Sequence, residues 1–203
     1  MSEDVPYPRF AYRGRAFVYL LPCRDDTLLK IGFSRDPVRR LLTLHPRFFD
    51  FFELENALLV EADFVQDARR IERHLLRTYL ADQAPAPLVV SATAGGHTEW
   101  YRGIRDEAEQ SLREFCERDG FVLHAPLSAW LRERFMDSAS LLYSWSAWLL
   151  EAVEYERYNV PEALRSGHAA RALRHVLDAY ESLRIDLEPL LPPTVLAWFH
   201  RSR

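Results

Sequence analysis

Lysine occurs once in this chain, at Lys30, against 25 arginines, and cysteine occurs twice, at Cys23 and Cys116. Two cysteines in unrelated contexts, with no CxxC pair, exclude a disulfide framework and predict reduced thiols in a cytoplasmic protein. Cys23, His45, His74 and His97 show no zinc-ligand spacing, which argues against a structural metal. The N-terminal MSEDVPYPRF is polar and interrupted by proline, so it does not read as a secretory signal. The charge-free run between Asp137 and Glu151 falls short of the roughly 20 apolar residues that span a bilayer and is broken by serines. Net charge is −4, and the first 104 residues are balanced at 14 basic against 14 acidic. Bulk charge therefore gives no support for nucleic-acid binding, and any such role must rest on local clusters. The arginine bias is what a GC-rich genome produces, which makes the single lysine worth notice. No internal repeat or low-complexity tract occurs.

What is present is a folded chain, 48% hydrophobic and 13% aromatic, long enough for one sizeable core or two small ones. AFVYLLP (16–22) and LLKIGF (28–33) have strand composition and are joined by the polar turn CRDDT. Pro37 suits the first turn of a helix capped by Ser34 or Asp36 and running to about Leu44. A phenylalanine-rich loop, HPRFFDFFELEN, leads to a third strand over 57–64 and then a helix over 67–80. On that helix Ala68, Ile71, Leu75 and Tyr79 recur at core spacing, while Arg69, Arg73 and Arg77 share another face. Residues 81–98 read as loop. From Arg102 onward the pattern is helical, with segments at 103–118, 126–135, 138–156, 161–183 and 193–201. Leu141, Trp145, Trp148 and Leu149 form one expected core stripe, and Leu173, Val176, Leu177 and Tyr180 another. The expected division is an N-terminal extension (1–13), an α/β domain (14–120) and a helical domain (121–203).

Three short motifs stand in order. FVY (17–19) and KIG (30–32) are separated by ten residues, Arg40 follows eight residues after Gly32, and Glu72 lies in IERHLL on the second helix. With GGHTEWY at 95–101, this set resembles the GIY-YIG nuclease superfamily, most closely its T5orf172-like branch, over residues 14–104. Phe17 and Val18 replace the first glycine and isoleucine, and Lys30 replaces the second tyrosine. The family's histidines fall on Leu44 and Leu76, with His45 and His74 out of register. The resemblance implies an α+β fold with a three-stranded antiparallel sheet flanked by helices, followed here by an all-α region. It further implies a DNA-cutting endonuclease that uses Mg²⁺ or Mn²⁺, in which Tyr19 is the general base and Glu72 the metal ligand.

The chemistry is consistent with that implication. A phosphodiester transition state gathers negative charge, and a guanidinium such as Arg40 meets it without titrating. Mg²⁺ takes hard oxygen ligands and keeps several waters, so a single carboxylate, Glu72, can hold it. A phenol is a base only if cations lower its pKa, which Lys30 and Arg40 could do for Tyr19; Lys30 could instead hold a phosphate oxygen. Arg35, Arg39, Arg69 and Arg73 could track a backbone, with Gly32 and His97 near substrate. Each has a plainer reading: Tyr19 as strand packing, Glu72 as a surface partner of the arginines, Gly32 as a backbone requirement. An inactive nucleic-acid-binding or interaction module on the same scaffold therefore remains an alternative. The aromatic, acidic helices suit a homodimer or a protein partner.

Overall fold

The computed structural model describes residues 14–202, so the expected N-terminal extension and the reading of the first ten residues lie outside them. The chain divides into two compact units, with the break between Leu131 and Arg132.

The first unit is built on a five-stranded antiparallel sheet in the order β4-β2-β1-β3-β5. β1 (Ala16–Pro22) and β2 (Leu28–Ser34) form the expected hairpin, with Tyr19 opposite Gly32 and Leu21 opposite Lys30. β3 (Leu58–Ala62) pairs with the other side of β1. The α+β class is as expected, but the sheet has five strands rather than three. The two additional strands, β4 (Trp100–Arg102) on β2 and β5 (Val122–His124) on β3, have three residues each. Segments that short show no alternation to read, and β5 falls between the helices expected at 103–118 and 126–135, in a region expected to be all-α.

β1 is buried along its whole length because the sheet is covered on both faces. On one face Val18, Leu20, Ile31 and Val60 pack with Ala68, Ile71 and Leu75 of α3 (Val65–Thr78) and with Ala108 and Leu112 of α4 (Arg105–Asp119). On the other face Phe17, Tyr19, Lys30 and Trp100 are buried, with Phe17 edge-on to Trp130 and Trp100 stacked with Phe52. Val38 and Leu41 of α1 (Pro37–Leu44) and Phe48 and Phe49 of α2 (Phe48–Phe51) belong to the same buried set. Asp36 caps α1 by accepting the Arg39 N–H, and Pro37 occupies the first helical position.

The second unit holds the end of α5 (Leu127–Asp137), then α6 (Ala139–Asn159), α7 (His168–Ser182) and α8 (Pro193–Arg201). Leu173, Leu177 and Tyr180 are buried, as their spacing predicts. On α6 the expected stripe holds at Leu149 and is corrected at Leu141 and Trp148. Leu142, Ser146, Leu149 and Leu150 face inward, whereas Leu141 and Trp148 are exposed. Two apolar stripes run along this helix, and spacing alone cannot say which one α7 and α8 cover. Among the described residues no helix is long and apolar enough to cross a membrane.

Candidate functional site

Strand alternation places Tyr19 and Lys30 on the same buried face, and β1–β2 pairing sets Gly32 directly beneath the phenol. A Cβ on Gly32 would lie 2.4 Å from the Tyr19 hydroxyl and 2.7 Å from Cζ. The glycine is therefore required by the close approach of a ring, rather than by a chain reversal. Arg40 projects from α1, and its Nε donates to the Tyr19 hydroxyl at 2.9 Å. Its other nitrogens donate to the carbonyls of Ala94 and Gly95 in the loop before β4.

Lys30 is fully buried. Its ammonium donates to a Glu99 carboxylate oxygen at 2.6 Å and to the carbonyls of Ile31 and Gly96, each at 3.0 Å. It also lies 5.6 Å from the centre of the Trp100 ring. A buried charge persists only when it is paired and hydrogen-bonded, and Glu99 with two carbonyls supplies both. Burial lowers the Lys30 pKa to about 8 despite the opposing pull of Glu99.

Glu72 comes from α3 and is buried. Burial, with Glu99 adding to it, pushes its carboxyl up to about 7, while Lys30 and a hydrogen bond from the Phe33 backbone pull it down. The bond from Phe33 has a topological origin. β4 covers β2 only at residues 28–30, so the β2 edge beyond Ile31 lies open to a side chain arriving from α3.

For Tyr19 the balance differs from the sequence expectation. Arg40 lowers the phenol pKa, but burial is the larger effect and leaves it raised to about 12. In the free protein Tyr19 is a neutral phenol.

The remaining candidates separate into two groups. Arg69 and Arg73 line an open groove with Phe33, Val65, Gln66 and Glu72, and the Arg69 guanidinium lies 5.5 Å from the Phe33 ring centre. Arg35, just before the cap of α1, and Arg39, in its first turn, are exposed, and His97 is exposed beside Gly96. His45 stacks on Phe51 at 4.7 Å and accepts the Arg47 N–H, and His74 packs against Phe115. Both have packing roles outside the cluster. Among the described residues no group of three or more His, Cys, Asp or Glu side chains is placed to hold a metal ion.

Sequence reasoning missed Glu99 and Gly96. A lone lysine in an apolar strand demands a carboxylate partner, and EWY beside Gly-Gly was the place to look for it. A Cβ on Gly96, whose φ is +67°, would lie 2.4 Å from Glu99 Oε2 and 2.9 Å from both Arg40 Nη2 and Lys30 Nζ.

The domain is thus an antiparallel α+β unit with a tyrosine, two cations and two carboxylates drawn together at an open strand edge. Residues 16–116 match the family model of the T5orf172 domain, and this part of the chain belongs to that family, which is associated with GIY-YIG-like endonucleases. No curated protein and no solved structure gives a significant match.

Proposed function

We propose that the first unit is a metal-dependent endonuclease domain that hydrolyses DNA phosphodiester bonds. The observation that carries this reading is the direct Arg40–Tyr19 hydrogen bond, with Lys30 and Glu72 close enough to act electrostatically on their neighbours. Arg40 meets the non-bridging phosphate oxygens, and the buried Lys30 ammonium adds positive charge beside it. Tyr19 accepts from Arg40, which leaves its own proton free to bond a water or a substrate oxygen; it becomes a base only where an added cation lowers its pKa by more than the anionic phosphate raises it. Arg69 and Arg73 border the groove on the Glu72 side and suit backbone phosphates.

The donor set fits a hard cation. Glu72 offers carboxylate oxygen, and its raised pKa marks a site where an added cation would hold it ionised. Mg²⁺ or Mn²⁺ held by Glu72, with waters completing its shell, would supply charge stabilisation and an acidified water.

The test is nicking of supercoiled plasmid and cutting of circular single-stranded DNA in Mg²⁺, Mn²⁺ or EDTA. Metal-dependent cutting by the wild type, reduced at least 100-fold in Tyr19→Phe, Arg40→Ala and Glu72→Gln, is expected. Full metal-dependent activity in Glu72→Gln would sink the reading.

A second reading, a DNA-binding module that does not cut, is favoured by the engagement of Arg40 with the Ala94 and Gly95 carbonyls. Salt-sensitive DNA binding without cleavage, unchanged in Glu72→Gln, would select it. We also propose that the helical unit pairs with a second copy of the chain through the exposed stripe of α6.

A further inference from the structure

The loop before β4 does more than border the cluster. Glu99 sits one residue before the strand that pairs Trp100 with Lys30, and its backbone carbonyl accepts from Ile31 N–H at 3.1 Å. Its backbone is thus pinned to β2, and its side chain turns back to Lys30 Nζ at 2.6 Å. Gly96, whose carbonyl accepts from Glu99 N–H at 3.2 Å, closes the turn and leaves room for no Cβ between Glu99, Arg40 and Lys30.

We propose that Glu99 is a positioning residue: it holds the Lys30 ammonium charged and in place beside Arg40, with Gly96 providing the space. The role assigned to the held lysine, charge on the phosphate, rests on the endonuclease reading; the holding itself does not. Glu99 acts through Lys30, whereas Glu72 is the residue that would hold the cation.

Because Lys30 is the only lysine in the chain, amine-reactive acylation followed by peptide mapping reads this one side chain. In the wild type, Lys30 should be acylated at least 100-fold more slowly than free lysine added to the same reaction. Glu99→Gln should speed its acylation at least tenfold, Glu99→Asp should restore most of the protection, and Glu72→Gln, which removes a weaker charge interaction and no hydrogen bond to Lys30, should speed it far less than Glu99→Gln. Gly96→Ala removes no charge but places a methyl among the three side chains, and should release Lys30 as well. It provides a second route if Glu99→Gln does not fold. Protection that persists in Glu99→Gln, or in Gly96→Ala where the former does not fold, overturns the proposal.

A second readout separates positioning from metal ligation. Glu99→Gln should raise the KM for DNA at least tenfold while leaving the Mg²⁺ concentration for half-maximal cutting within twofold of wild type. An increase in that concentration equal to the one in Glu72→Gln would make Glu99 a metal ligand and overturn the proposal. If the wild type does not cut DNA at all, the endonuclease reading fails, and the acylation series still decides whether Glu99 holds Lys30.

Discussion

Gly32 and Tyr19 show how one residue pair couples packing to chemistry. The phenol lies where any Cβ at position 32 would intrude, so Gly32→Ala should displace the ring and break its bond to Arg40. Overpacking of this kind costs about 1–3 kcal/mol, and the expected outcome is that loss in chemical denaturation together with a drop in cutting comparable to Tyr19→Phe. The Tyr19 pKa also makes a pH prediction. Its folded value, about 12, lies above the ordinary value of 10.0, so the fold favours the protonated phenol. The associated stability is complete below pH 10 and is lost as pH rises from about 10 to about 12. Two pKa units correspond to at most about 3 kcal/mol. Urea unfolding at pH 8, 10 and 11.5 should show a steeper alkaline loss in wild type than in Tyr19→Phe; equal slopes would place the ionisation elsewhere.

At the level of elements, the hairpin, α1 and α3 were legible because their signals are local: strand composition around a polar turn, proline after a capping aspartate, and core spacing at Ala68, Ile71 and Leu75. The ordered motif singles out Tyr19, Lys30, Arg40 and Glu72 by spacing alone. Glu99 was not legible because its role depends on β4, three residues whose pairing with β2 no periodicity announces. The sign of the Tyr19 shift was missed for a related reason. Charge neighbours can be guessed from motif order, but burial on both faces of β1 cannot. α6 illustrates ambiguity of register, since its outward stripe and its inward stripe both satisfy helical spacing. A pair of truncations tests the observed register. Leu149→Ala, at a buried site, should cost about 2–5 kcal/mol, whereas Leu141→Ala, at an exposed one, should stay within about 0.5 kcal/mol. Equal losses in thermal unfolding would mean the helix is rotated from the position described.

For the whole molecule, the outward stripe of α6 bears on assembly. Leu141, Trp148 and Tyr155 are 56%, 55% and 66% exposed and recur every seven residues, so they lie along one line of the helix. An antiparallel pairing of two copies about Trp148 sets each Leu141 against the partner's Tyr155, the self-complementary arrangement a two-fold interface requires. With more than half of each side chain open, the three expose roughly 400 Å² together, taking about 150–250 Å² for a large side chain. That is about half of the ~800 Å² per partner in a standard interface, so the pairing should be weak and concentration-dependent rather than permanent. Light scattering across a hundredfold dilution should show mass rising from one chain toward two at the highest concentrations. Trp148→Glu, at the centre of the stripe, should abolish the rise without lowering the melting temperature, because the side chain it replaces is largely exposed. A monomer at every concentration in wild type would remove the second copy as the occupant of this face.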